Sequence, residues 1–294
     1  MSGAFRWFDT HTHYNDPRFE EDLEEVLRRV YDAGILRDAV IGYDLDSSIR
    51  AVKLAEASVG REARTIHSAV AGIHPLHSGD AEEEDLIRLE ILAEDPTVAA
   101  IGEIGLDYHR KNPDVTPDKE VQQYFFRKQI RIARRAGLPV VIHSRDAAQD
   151  TLEILEEEKA AEVGGVIHCY SYSPEMAERF LKLGFCLGIG GVVTYPGSKK
   201  VREVVRSVPL ERIVLETDAP YLPPEGHRGE RNDSRAIPQI AETIAELRGC
   251  TLDEVCRVTW ENACRLYRLE APYPGGSQED PPVEKHTDAD GSTI

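Results

Sequence analysis

Eight short apolar runs punctuate the chain, most of them followed by a stretch of helical periodicity, and this alternation limits the fold more than any other feature. The runs begin at Phe5, Ala39, Ala69, Val98, Pro139, Gly165, Phe185 and Ile213. They recur about every 30 residues, the length of one strand and its following helix. Strands that are apolar on both faces belong to a parallel sheet covered by helices, and a count of eight favours a closed (β/α)8 TIM-type barrel over an open sheet. A chain of 294 residues with 41% hydrophobic content can build such a barrel as one unit. The units share no obvious sequence, so the repetition is one of architecture.

The helices are read from stripes and punctuation. Phe19, Leu23, Val26, Leu27 and Val30 mark a helix from Pro17 to Ala33, stopped by Gly34. Others are expected from Ile49 to Val59, from Asp80 with Glu83 as its capping partner, from Asp118 to Ala136, and from Ala147 to Lys159. Ser173 and Pro174 open a further helix that ends at Gly184, and Ile237–Arg248 and Leu252–Tyr267 close the fold, with Thr251 and Glu254 spaced as a cap. Residues 1–269 therefore read as the barrel. Residues 270–294 turn to Pro, Gly, Ser and acid without apolar period, and read as a disordered acidic tail.

In a parallel barrel the reactive groups gather at the carboxyl ends of the strands. There the first run carries His11 and His13, the third His74, the fourth Glu103, the fifth His143, the sixth His168, and the eighth Glu216 and Asp218. Strand alternation places Ala99, Ile101 and Glu103 on one face, as it does Asp9, His11 and His13. So many imidazoles in one buried mouth would repel one another if protonated, a conflict that divalent metal resolves by keeping them neutral beside ionised carboxylates. Six ligands exceed what one open catalytic ion needs, so two divalent cations are expected, with a bridging carboxylate. That pattern suits hydrolysis of a phosphoester, with Asp218 as the group that orients the attacking water.

The remaining bulk properties are mostly exclusions. A formal net charge of −18 and a pI near 5.0 exclude a surface-wide, sequence-independent nucleic-acid binder but not an enzyme with a local cation site. Five cysteines without a C-x-x-C argue against a disulfide framework or a zinc knuckle. No secretory leader or apolar run of about 18 residues is found, so a cytoplasmic location without a membrane partner is expected. No obligate protein partner is evident.

The segments FDTHTHYND, GIHP, GEIGLDYHR, VIHSRDA, IHCYS and LETDAPYLPP, followed by HRGERND, occur in one order from about residue 8 to about residue 265. In these the sequence resembles the TatD family of metal-dependent deoxyribonucleases, a branch of the amidohydrolase-like barrels. The resemblance implies that His11, His13, Glu103 and Asp218 hold one metal and that Glu103, His143 and His168 hold the second. It places His74, Tyr108, Arg145, Arg228 and Asn232 around the substrate mouth. It also implies Mg²⁺ or Mn²⁺ as cofactor, with Zn²⁺ accommodated, and DNA as substrate, attacked 3′ to 5′ from single-stranded or 3′ ends. Asp9, and after it Asp107, read as residues that orient a ligating histidine, and Cys169 as packing. Glu230 stands where the family carries a basic residue, a change near the mouth that bears on substrate preference and leaves the metal ligands untouched.

A second reaction class is hydrolysis of amide or ester bonds, as by a D-aminoacyl-tRNA deacylase. Related barrels bridge their metals with a carboxylated lysine. Here no lysine occurs from Glu90 to Arg110, which favours the nuclease branch.

Overall fold

The computed structural model describes residues 5–59, 64–109, 116–271, 273 and 274. Eight parallel strands pair in chain order, β1 (Trp7–Thr12), β2 (Ile35–Ile41), β3 (Ile66–Ala71), β4 (Val98–Asp107), β5 (Val140–Arg145), β6 (Gly165–Ile167), β7 (Cys186–Ile189) and β8 (Ile213–Leu215). The sheet closes on itself. Thr12 bridges to Ala219 just past β8, Asp218 N donates to His11 O at 2.9 Å, and His13 N donates to Ala219 O at 2.7 Å. The fold is the (β/α)8 barrel that the eight apolar runs require.

Two apolar layers follow from strand alternation. Phe8, Ala39, Ile41, Val70, Ala100, Val141, Val166, Cys186 and Val214 fill the barrel interior. Their neighbours, among them Val40, Ile101, Ile142, Ile167 and Leu215, face outward into the helices. Those helices are α1 (Leu23–Asp32), α2 (Leu45–Ser58), α3 (Glu83–Leu92), α4 (Lys119–Ala136), α5 (Ala148–Glu157), α6 (Pro174–Lys182), α7 (Lys199–Ser207), α8 (Ile237–Arg248) and α9 (Leu252–Leu266). Helix α9 seals the end where the strands begin. Trp260 and Tyr267 each lie 5.9 Å from Phe8, and the Tyr267 hydroxyl donates to Thr10 O at 2.7 Å.

Local hydrogen bonds move several boundaries from where the sequence places them. The expected Pro17–Ala33 helix is split into a 3-10 turn, Pro17–Phe19, and α1. Helix α2 begins at Leu45, because Asp44 accepts from Ser47 N while the Ser47 hydroxyl accepts from Asp44 N, a cap written with serine where glutamate is usual. Helix α3 is capped by Asp85, which accepts from Glu82 N at 3.0 Å, rather than by the Asp80 and Glu83 pair. Helix α7, unassigned in the sequence reading, is short and buries only Val201, Val204 and Val205. The expected 270–294 tail falls almost wholly outside the described residues. Of its first residues, Ala271 accepts a hydrogen bond from Trp260 Nε1, and the Tyr273 ring packs on Trp260.

Strand β4 corrects a larger expectation. Ile101 pairs with Val140 and Ile104 with Ile142, so three residues of β4 span two of β5. The extra residue inverts the alternation beyond it. Ala100 points in and Ile101 out, yet Glu103 still reaches the barrel mouth, by a bulge rather than by sharing a face with Ala99 and Ile101.

Two buried glutamines of α4 hold the carboxyl ends of β3 and β4. Gln129 accepts from Ile73 N at 2.7 Å and donates to Ile73 O at 3.0 Å, while Gln122 does the same for Asp107 at 2.8 and 3.0 Å. Replacing Gln129 with leucine leaves both backbone groups of Ile73 buried without partners. We expect Gln129→Leu to lower stability by about 2–4 kcal/mol, seen as a fall in the urea midpoint at constant slope. A loss under about 0.5 kcal/mol would show that the clamp is dispensable.

Candidate metal centre

At the carboxyl mouth, Glu103 is the hub. Its Oε2 lies 3.6 Å from His11 Nε2 and 3.9 Å from His13 Nε2. Its Oε1 lies 2.9 Å from His143 Nδ1, 3.8 Å from His74 Nε2 and 4.0 Å from His168 Nε2. Asp218 Oδ1 completes the ring, 3.4 Å from His13, 3.7 Å from His11 and 3.7 Å from His168. The six residues expected as metal ligands therefore converge, although they come from five different strand ends. Asp218 holds its place with a backbone φ of 57°, a left-handed conformation that aspartate tolerates better than most side chains.

Backbone partners reveal which ring nitrogen carries the proton. A carbonyl oxygen only accepts, so His13 Nδ1, 3.0 Å from Ile41 O, is the protonated nitrogen and Nε2 presents its lone pair to the centre. His74 is the reverse. The N–H of Leu76 donates to His74 Nδ1 at 3.1 Å, so a neutral His74 bears its proton on Nε2, toward Glu103. Although His74, Glu103 and His143 have ligand-type atoms within 4.8 Å of one another, His74 is thereby a donor over the site and not a ligand. Burial, aided by neighbouring His143, lowers its pKa to about 3 and keeps it neutral.

The charges around this ring follow from crowding. Burial alone would raise Glu103, but His74, His11 and His143 outweigh it and hold the carboxylate well below its usual range. Burial opposes the protonated form of His168, yet Glu216 and Asp218 push its pKa up to about 10. His143, likewise buried, sits between Glu103 and Asp107, whose Oδ2 lies 3.1 Å from its Nε2, and is raised to about 9. His11, buried and stacked on His168 with ring centroids 3.5 Å apart, is lowered. Without a cation the site thus traps protons on some imidazoles and expels them from others. The donor set fits divalent metal: Nε2 of His11, His13 and His168 each lies within 4.0 Å of both Glu103 and Asp218, and His143 Nδ1 lies 2.9 Å from Glu103.

Other expected residues divide. Arg145 is exposed at the end of β5, at the rim. Tyr108 donates its hydroxyl to Asp150 at 2.8 Å, with Lys119 over its ring at 3.9 Å. Arg228 stacks on Tyr195 at 4.0 Å, and Glu230 pairs with His227 at 2.9 Å. Asn232 is turned to the backbone. It is buried and its amide donates to Thr217 O at 3.0 Å and Tyr221 O at 2.8 Å, folding the loop that carries Asp218. Asp9 also departs from expectation, because its carboxylate accepts from His11 N, Thr217 N, Thr217 Oγ1 and Ser234 Oγ, tying β1 to the chain after β8 rather than gripping an imidazole. Asp107 does grip His143 as expected. The sequence reading overlooked Tyr221, whose ring lies 5.9 Å from His13 with Arg18 stacked 4.2 Å above it.

A closed parallel barrel with histidine and carboxylate donors at its carboxyl mouth is the build of a metal-dependent hydrolase. The chain belongs to the TatD family: the family described as TatD related DNase matches residues 8–268. It is 42% identical over 262 residues to the uncharacterized metal-dependent hydrolase YabD of Bacillus subtilis, covering 89% of this chain and 99% of that one. It is 34% identical over 269 residues to the 3′-5′ ssDNA/RNA exonuclease TatD of Erwinia billingiae, covering 90% of this chain and all 100% of the other. The crystal structure of YjjV, a TatD homologue from Escherichia coli, superposes with a TM-score of 0.82 at 32% identity, covering 91% of this chain and 100% of that one.

A cation held by His143 and His168 would displace the protons that burial between carboxylates leaves on them. The loaded state binds fewer protons than the empty one, so apparent affinity rises with pH. We expect Mn²⁺ affinity to climb from pH 6 to pH 9. Calorimetry in buffers of different ionisation heat should report release of roughly two protons per site near pH 7. An affinity flat across that range would refute the assigned protonation.

Proposed function

We propose that the protein is a divalent-metal-dependent phosphodiesterase that removes nucleotides 3′ to 5′ from DNA, acting on single-stranded or 3′ ends. The observation that carries this reading is the split of Glu103, one oxygen toward His11 and His13 and the other toward His143 and His168. A carboxylate so placed suits a bridge between two cations, Mg²⁺ or Mn²⁺ in the first instance with Zn²⁺ compatible with the donors. Charge agrees. Glu103, Asp107, Asp218 and Glu216 carry four negative charges around neutral imidazoles, which two divalent cations cancel.

His11, His13 and Asp218 would hold one cation and His143 and His168 the other, with Glu103 shared. Bound there, the cations supply Lewis acidity, which activates water near neutral pH and offsets charge on the phosphoryl group. Asp218, facing three imidazoles with one oxygen, is placed to orient that water and accept its proton. The His74 Nε2–H, kept neutral by burial, is placed to donate to a phosphoryl oxygen. At the rim, the Arg145 guanidinium supplies a fork for the next phosphate. Relatives named as ssDNA/RNA exonucleases support the substrate class.

Glu103→Gln and Asp218→Asn should each lower turnover of a 3′-labelled single-stranded oligonucleotide by about 10²–10⁴-fold, with the fold kept by circular dichroism. EDTA should abolish wild-type activity, and Mn²⁺ should restore it. Release of amino acid from charged tRNA without loss of the 3′ label would replace the nuclease by a deacylase.

A further inference from the structure

Resting on the metal-centre reading, we propose that Glu216 is a positioning residue that fixes His168 from behind, and that a carboxylate is required there. Glu216 is 1% exposed and lies outside the six expected ligands. Its two oxygens face two different nitrogens. Oε1 accepts from Cys169 N at 2.6 Å, and Oε2 lies 3.1 Å from His168 Nδ1, both of those last atoms being buried with no hydrogen-bond partner elsewhere among the described residues. A carboxylate accepts at both oxygens, whereas a glutamine would turn its NH₂ toward one of the donors.

The surroundings are cut to this side chain. A Cβ on Gly188 of β7 would come 2.6 Å from the Glu216 carboxyl carbon, so only glycine leaves the slot open. Cys169 adopts a φ of 46°, in the left-handed region, at the point where its N–H is aimed at Oε1. With Nδ1–H directed at Glu216, a neutral His168 has its lone pair on Nε2, facing Asp218 and Glu103. The effect extends to His11. Its ring stacks on His168 at 18°, and its Nδ1 has no hydrogen bond among the described residues, so the His168 ring is a contact that orients it beside those its Nε2 makes with His13 and Glu103. One carboxylate thus fixes one ring directly and bears on a second through stacking, one expected on each cation.

The test compares the full-length wild type, Glu216→Gln and Gly188→Ala. Zn²⁺ and Mn²⁺ binding is measured by calorimetry, and the His168 tautomer by long-range ¹⁵N–¹H NMR. Wild-type His168 should be protonated at Nδ1 both empty and loaded with Zn²⁺. Both variants should lose about 10–100-fold in metal affinity, and Glu216→Gln should show a mixed tautomer. A variant that melts lower but binds metal within about twofold of wild type would make Glu216 a packing residue and overturn the assignment. So would an Nε2–H tautomer in the Zn²⁺-loaded wild type, a result that stands even if neither variant folds. A wild type that takes up neither metal would overturn the metal reading itself, and this assignment with it.

Discussion

A carboxylate buried among five imidazoles is held by its neighbours' charge or not at all, since moving an unpaired ion out of water costs several kcal/mol even after relaxation. Glu103 meets that demand by dividing its oxygens between two groups of histidines. The division sets the geometry of the mouth. Within each group the imidazoles crowd one shared carboxylate oxygen of Glu103. The bulge in β4 makes this possible by turning Glu103 inward against the strand's own alternation. The glutamine clamps of α4 then hold the end of β4 beyond that bulge, at Asp107, and the chain just past the neighbouring β3, at Ile73.

The histidines are aimed by what lies behind them, and each uses a different device. His13 is fixed by the carbonyl of Ile41, His143 by the carboxylate of Asp107, and His74 is turned the opposite way by the N–H of Leu76. The difference between a ring that offers a lone pair and one that offers a proton thus lies in a single backbone contact. Identical side chains at successive strand ends acquire distinct chemistry because the loops behind them expose either a donor or an acceptor. Nothing in the residue type foretells which.

That bears on how far the sequence can be read. The barrel was legible because eight apolar runs leave few topologies open, and the convergence of His11, His13, Glu103, His143, His168 and Asp218 was legible because strand ends in a barrel share one mouth. Simple alternation failed wherever the backbone carried an extra residue, as at Glu103 and between Asp9 and Thr12, where the register with β2 also slips. Asn232 misled for another reason. A polar residue in a mouth loop resembles a substrate contact until the carbonyls it satisfies are seen. Glu216 stood among the strand-end acids without a role, because neither its partner Cys169 N nor the opening at Gly188 has any signature in the sequence.

Under the proposed function, the charge around the mouth bears on the mode of substrate binding. Among the described residues, three cations there are already committed: Arg18 to Asp16 at 2.7 Å, Arg228 to Glu225 at 3.4 Å, and Arg231 to Asp22 at 2.5 Å. The chain as a whole carries a charge of −18. Paired arginines on an acidic body offer a long polyanion little attraction, so binding energy must come from the centre, where bound cations would offset the four carboxylates, and from Arg145 beside it. Few phosphates can then be engaged at once, and affinity should depend weakly on salt compared with a protein that tracks a duplex. A site that grips one or two phosphates at the bottom of a barrel mouth is suited to a strand end, which can enter it, and poorly suited to the middle of a continuous helix, which cannot.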